Sequence, residues 1–124
     1  MSVSYMILAE TILIVLDGIV DERELLEAQH ELFCDPGFHG EYPRLVDGST
    51  MTRFNVSDKI VRHLANSAYE RGLRKAALVS NDTEVVYGLM RMYAEYSGDA
   101  VVEVFRDREA AARWLANEGF WTAG

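Results

Sequence analysis

The chain has 124 residues, and its hydrophobic fraction of 49% and charged fraction of 26% are typical of a single globular domain spanning residues 1–124. The net charge of −8 argues against nucleic acid and anionic membrane surfaces as partners, because both are bound through a basic face. Cys34 is the single cysteine, which excludes an internal disulfide and favours a reducing compartment.

The N-terminal segment predicts two short strands followed by a helix. Apolar runs indicate strands at Val3–Ala9 and Thr11–Asp17, with one continuous, bulged strand as the alternative. The apolar part of the second segment is too short to span a bilayer and follows no basic segment, so we expect a cytoplasmic protein with no integral membrane segment. Asp21 and Glu24 form a variant capping box that begins helix one, and helical periodicity continues to about Phe33.

Negative charge is concentrated in the segment Glu10–Asp35, which holds eight acidic residues and one base, Arg23. The rest of the chain is nearly balanced, with twelve acids and eleven bases. A basic partner protein would suit this segment, although a solvated helix face accounts for it more simply.

The middle of the chain predicts a strand, a loop and a second helix. Arg44–Asp47 is a short strand, and Gly48–Phe54 is rich in hydroxyl groups, which indicates a polar loop. Asn55 is the expected N-cap of helix two, and Gly72 is expected to end it. The apolar stripe of this helix consists of Ile60, Val61, Leu64, Ala65 and Ala68.

The second half alternates strand and helix patterns. Ala76–Val79 and Val101–Phe105 read as strands, and each precedes a helical pattern. The first of these helices, helix three, is expected to begin at an N-cap on Asn81 or Asp82. The last, helix four, covers Asp107–Ala116, with Asp107 as its expected N-cap. Such alternation implies βαβ crossovers and a mostly parallel sheet, which is an α/β fold.

Helix three carries two unusual features. Gly88 lies inside it, where glycine costs about 1 kcal/mol relative to alanine, so we expect compensation by close packing against a neighbouring element. Large soft side chains on this helix and near the C-terminus exceed what a small core needs, and part of this surface is expected to line an apolar pocket or a dimer contact. These residues are Leu89, Met90, Tyr93, Tyr96, Trp114, Phe120 and Trp121, the last two suggesting a homodimer contact.

Motifs for catalysis and cofactor binding do not emerge from the sequence. His30 and Cys34 have the i, i+4 spacing of two metal ligands on a helix, but the usual paired motif is missing, and we expect Cys34 to be a small buried hydrophobe. The chain contains neither G-x-S-x-G nor a glycine-rich phosphate loop. We therefore predict no catalytic residue, no metal ligand and no cofactor, and a protein that is not an enzyme.

Two blocks of sequence carry a resemblance to a known family. They are Tyr87-Gly88-Leu89-Met90-Arg91-Met92-Tyr93 and the run from Val104-Phe105-Arg106-Asp107 through Ala110 to Trp114-Leu115. With the order of strands and helices, these blocks resemble the SpoIIAA-like (STAS/SEC14-type) family of small bacterial proteins over roughly residues 8–116. The resemblance implies a mixed, mostly parallel sheet of four or five strands with flanking helices and an antiparallel N-terminal strand at or near an edge.

The resemblance also implies two functions. SEC14-like relatives bind lipids or other apolar small molecules, so we predict a non-enzymatic module for a small apolar, lipid-like ligand. Anti-sigma-factor antagonists are protein-protein regulators phosphorylated on a serine that begins helix two; here Asn55-Val56-Ser57-Asp58 replaces the family's D-S-x-G pattern, and Ser57 is the nearest hydroxyl. Arg91 is either an anion partner at a pocket rim or an ion-pair partner of Glu95. The candidate ligand or partner surface consists of Ser57, Tyr87, Met90, Arg91 and Tyr93.

Overall fold

The computed structural model describes residues 2–117, which form one mixed sheet and its flanking helices. The strands are β1 (Val3–Leu8), β2 (Thr11–Asp21), β3 (Arg44–Asn55), β4 (Lys75–Val79) and β5 (Val101–Phe105). The helices are α1 (Glu22–Phe33), α2 (Asp58–Glu70), α3 (Glu84–Tyr96) and α4 (Arg108–Asn117). The strands lie side by side in chain order; β1 is antiparallel to β2 at one edge, and the remaining pairs are parallel. The predicted α/β class and the antiparallel N-terminal edge strand are therefore confirmed.

The two faces of the sheet are covered differently. Helices α1, α2 and α3 cover one side, called here the three-helix face, and α4 packs alone on the other. Side chains along β4 alternate between the two faces. Ala76 and Leu78 belong to the core between the three-helix face and its helices, while Ala77 and Val79 pack with α4. No helix of residues 2–117 is long and apolar enough to cross a membrane.

Strands β2 and β3 are longer than their sequences predict. The predicted polar loop Gly48–Phe54 is instead part of β3, and β2 continues past its expected end to Asp21, which pairs with Asn55. The pairing of β3 with β4 stops at Asp47 and Val79, so beyond that point β2 and β3 form a two-stranded ribbon. Most of its polar side chains face solvent, which explains why this stretch has the composition of a loop.

The helix N-caps agree with the sequence in two cases and differ in two. Asp21 caps α1 by accepting a hydrogen bond from the Glu24 N–H, as predicted, and Asp107 caps α4. The predicted Asn55 cap of α2 is wrong, because Asn55 is committed to strand pairing, and the Ser57 hydroxyl caps this helix. For α3 the cap is one residue beyond the expected pair, at Thr83.

Two further expectations about buried positions are wrong. Gly88 is exposed, and a Cβ built on it would meet nothing within 4 Å, because this position of α3 faces solvent while Val86 and Met90 face the sheet. Cys34 is also exposed, since it is the C-cap of α1 and lies beyond the last buried turn of that helix. Phe120 and Trp121, the expected dimer contact, lie outside the described residues.

Candidate functional site

An apolar cavity of about 120 Å³ lies between the three-helix face and the helices above it. Its floor includes Ile14 of β2 and Val46 of β3, and its walls include Ala28 of α1, Val61 of α2 and residues of α3. Ile14 and Val46 belong to inner strands of the sheet, where side chains are ordinarily buried, yet both are only half-buried. The helices therefore leave part of this face unfilled.

Short side chains help to keep this space open. Ala28 faces the cavity from α1 and fills little of the distance between helix and sheet. Ala76 of β4 pairs with Arg44 of β3 in the sheet, so the neighbour of the long Arg44 side chain on that strand is only a methyl group. Protein interiors are normally packed to crystal-like density, and a space of this size in a chain of 124 residues is a distinct structural feature.

One charged side chain enters this apolar space. Arg44, at the start of β3, is only 6% exposed and is the sole charged residue among the described residues lining the cavity. Its Nη1 donates to the Tyr93 hydroxyl of α3 over 2.9 Å, and its Cζ lies 5.8 Å from the centre of that ring. Its Nε is buried and has no hydrogen-bond partner. Buried charged groups normally have such partners, so this guanidinium is incompletely satisfied.

Two other polar side chains in the lining have protein partners. The Gln29 side-chain amide donates to the Leu64 carbonyl over 3.2 Å, which links α1 to α2. The Tyr5 hydroxyl donates to Asp35 Oδ2 over 2.7 Å, and this hydrogen bond is the main reason that the pKa of Tyr5 rises to about 12. The pKa of Asp35 is lowered, chiefly by the Gly37 N–H and also by Tyr5. The cavity is therefore apolar except for a few polar groups, and among these Arg44 is a cation with unsatisfied hydrogen-bond donors.

The comparisons with known proteins identify the architecture. No family model matches the chain, and no curated protein matches it either. Among solved structures, it is similar to an uncharacterized protein of the DUF3478 family from Shewanella loihica that has a SpoIIAA-like fold, with a TM-score of 0.58, 13% sequence identity and 91% coverage of each chain. This chain has a SpoIIAA-like fold. The resemblance inferred from the sequence is thereby confirmed for the fold.

Within the SpoIIAA-like fold, the predicted surface residues divide into two groups. Met90 and Tyr93 line the cavity, together with Leu89. Ser57 is exposed at the N-terminus of α2 and does not line the cavity. Tyr87 packs under the guanidinium of Arg106 at 4.1 Å, outside the cavity. The five residues therefore do not form one continuous site.

Arg91 and its possible partner Glu95 are both exposed on α3. The hydrogen bonds and ion pairs found within residues 2–117 do not join them. Arg91 does not line the cavity, whereas Arg44 does.

The other residues grouped with Met90 and Tyr93 in the sequence lie elsewhere. Tyr96 packs under Arg62 at 4.8 Å and is absent from the cavity lining. Trp114 lies on the α4 side of the sheet, where its ring contacts Phe105. The His30 and Cys34 pair is exposed, with 3.8 Å between Nε2 and Sγ, and no group of three or more potential metal ligands was found in the part of the chain that the structure describes.

Sequence reasoning missed Arg44 as a functional candidate. The sequence pattern identifies it only as the first residue of a short strand. A signal was present, because Arg44 lies two residues before the apolar Val46 and therefore shares its side-chain face of β3. A charged residue in phase with a buried face is expensive unless it has a partner or a function.

Proposed function

We propose that this protein is a non-enzymatic binding module that holds a small apolar ligand in the cavity beneath α1, α2 and α3. The observation that carries the proposal is the unfilled apolar space above Ile14 and Val46, on an inner region of the sheet. Apolar pockets with a small number of placed polar groups are the usual form of small-molecule sites. Here the placed polar groups are Arg44 and Tyr93.

The volume of the cavity limits the ligand. Drug-sized ligands occupy pockets of about 300–1,000 Å³, whereas an engineered apolar cavity of about 150 Å³ in another protein binds benzene. At about 120 Å³, the present cavity suits a molecule whose apolar part is close in size to a benzene ring. A whole two-chain lipid would require the helices to move apart, so the proposal is a small apolar molecule.

The methionines provide a direct test. Met51 and Met90 line the cavity, whereas Met6 is exposed on β1 and Met92 is absent from the lining. With methyl-labelled methionine, titration with benzyl alcohol should shift the NMR signals of Met51 and Met90 and leave that of Met6 unchanged. Equal shifts at Met6 and the two cavity methionines, or shifts at none, would contradict the proposal.

A cavity-filling variant gives the matched control. Ala28→Leu adds side-chain atoms inside the cavity, whereas Ala112→Leu makes the same change on α4, on the other side of the sheet. We expect Ala28→Leu to abolish the methionine shifts and Ala112→Leu to preserve them. Thermal unfolding of both variants verifies that the loss reflects blocked binding rather than loss of the fold.

The alternative is a regulatory module that binds a partner protein and is switched by phosphorylation of Ser57. Its support is that Ser57 is an exposed N-cap, where a phosphate would face helix N–H groups. Against it, the Glu22 carboxylate already accepts from the Ser57 N–H at 2.9 Å, and Asp58 is adjacent, so a phosphate would be repelled. The intact mass of protein purified from its own host tests this alternative: a phosphate located on Ser57 would support it, and an unmodified chain would not.

A further inference from the structure

We infer that the ligand is a small monocarboxylate, with an apolar body about the size of a benzene ring and a carboxylate held by Arg44. This inference rests on the proposed function of the cavity and names the chemical class that it takes. The observation behind it is a buried guanidinium that faces an apolar space and lacks an anionic partner within residues 2–117.

Two arginines that form ion pairs between distant parts of the chain show what Arg44 lacks. Arg106 pairs with Glu84 at 2.9 Å, and Arg108 pairs with Asp47 at 3.3 Å. Both of these arginines are more exposed than Arg44, so their need for a partner is smaller. A buried cation without a counter-ion is destabilising, and an anionic ligand would relieve this on binding.

The orientation of the guanidinium favours a carboxylate. Because Nη1 is occupied by the Tyr93 hydroxyl, the edge formed by Nε and Nη2 is left for a ligand, and Nε is the atom that has no partner. Two parallel N–H groups on one edge of a guanidinium match the two oxygens of a carboxylate. The Tyr93 hydroxyl accepts from Arg44, so its own proton can donate to the same carboxylate.

Charge balance selects a monoanion. Arg44 is the only charged side chain in the described lining, so one negative charge neutralises the site. A phosphate monoester carries close to two negative charges near pH 7, and its second charge would remain unpaired in apolar surroundings. The ligand is therefore expected to resemble benzoate more closely than phenyl phosphate.

Isothermal titration calorimetry with benzoate, benzyl alcohol and phenyl phosphate tests this inference. We expect benzoate to bind the wild type more tightly than the other two compounds do. Arg44→Met should weaken benzoate binding by about 10-fold or more, because hydrogen bonds to charged groups are lost, while benzyl alcohol binding is retained. Arg113→Met, which removes an exposed arginine from α4, should leave benzoate affinity unchanged.

The outcomes separate this inference from the proposed function. If benzyl alcohol shifts Met51 and Met90 but benzoate binds no better, the cavity is a neutral apolar site and the carboxylate inference is wrong. If neither compound shifts those methionines, the proposed function fails as well. A loss of benzoate affinity in Arg91→Met but not in Arg44→Met would also overturn the carboxylate inference, because it would place the anion at the exposed Arg91.

A second variant guards against misfolding of Arg44→Met. Tyr93→Phe keeps the charge of Arg44 but removes the hydroxyl that orients it, so benzoate should bind with intermediate affinity. Replacing a buried charge by an apolar side chain of similar length is often tolerated. Circular dichroism tests whether Arg44→Met is folded. Unchanged benzoate affinity in both folded variants contradicts the inference.

Discussion

Arg44 and Tyr93 join the start of β3 to the last turn of α3 through a hydrogen bond of 2.9 Å between residues 49 positions apart in the chain. The Tyr93 hydroxyl is the only protein acceptor that the described structure gives to the Arg44 guanidinium. This single contact both orients the cation in the cavity and ties the helix to the sheet.

We expect Tyr93→Phe to lower the free energy of unfolding by about 1–3 kcal/mol, because it removes the only acceptor that the described structure gives to a buried guanidinium. Urea denaturation followed by circular dichroism measures the change. Tyr96→Phe is the matched control on the same helix, since Tyr96 makes a ring contact with Arg62 that phenylalanine preserves. The double variant Arg44→Met, Tyr93→Phe should recover part of the loss, because both polar partners are then removed. Equal losses in Tyr93→Phe and Tyr96→Phe would show that the hydroxyl of Tyr93 has no special role.

The Tyr5 and Asp35 hydrogen bond predicts a stability change at high pH. Folding raises the pKa of Tyr5 from 10.0 to about 12, so its contribution to stability is fully present below pH 10.0 and is lost as the pH rises towards about 12. We expect the difference in free energy of unfolding between the wild type and Tyr5→Phe to shrink across this range.

Absorbance titration of tyrosinate provides an independent measurement. Subtracting the Tyr5→Phe curve from the wild-type curve isolates Tyr5, which matters because Asp99 also raises the pKa of Tyr69. Asp35→Ala should return the pKa of Tyr5 towards 10.0, since the hydrogen bond to Asp35 is the largest cause of the shift. A midpoint for Tyr5 that is unaffected by Asp35→Ala would contradict this explanation.

Ser57→Ala should destabilise the protein by about 0.5–2 kcal/mol, because the Ser57 hydroxyl accepts from the Ile60 N–H at the start of α2. At 3.4 Å this hydrogen bond is long, which places the expected loss towards the lower end of that range. Asn55→Ala tests the cap position inferred from the sequence and should cost less. A larger loss for Asn55→Ala in urea denaturation would restore Asn55 as the cap.

Gly88→Ala should stabilise the protein by about 0.5–1 kcal/mol, because the position is helical, exposed and has open space for a Cβ. The opposite sign is expected for Gly40→Ala, where a Cβ would overlap the backbone carbonyl oxygen of Arg71 and cost about 1–3 kcal/mol. In thermal unfolding, the melting temperature of Gly88→Ala should therefore be higher than that of the wild type, and that of Gly40→Ala should be lower. A decrease in melting temperature for Gly88→Ala would mean that this face of α3 is covered in solution.

The elements with strong periodicity were predictable from local sequence. Hydrophobic alternation and helix spacing place β4, β5 and the helices close to their observed bounds, and Asp21 and Asp107 are the expected caps. The far half of β3 was missed because its residues are polar. Its strand conformation depends on pairing with β2, and pairing with a distant segment leaves no trace in local composition.

The sequence by itself determined the α/β class, the order of strands and helices and the resemblance to SpoIIAA-like proteins, because these depend on periodicity and on residues close together in the chain. Only the tertiary structure decided that Arg44 and Tyr93 meet, that Met90 joins them at one cavity, and that Ser57 and Arg91 lie away from it. The physical reason is that a cavity is the volume that packed elements fail to fill. It depends on how several helices rest on a sheet, and no single segment of the chain contains that information.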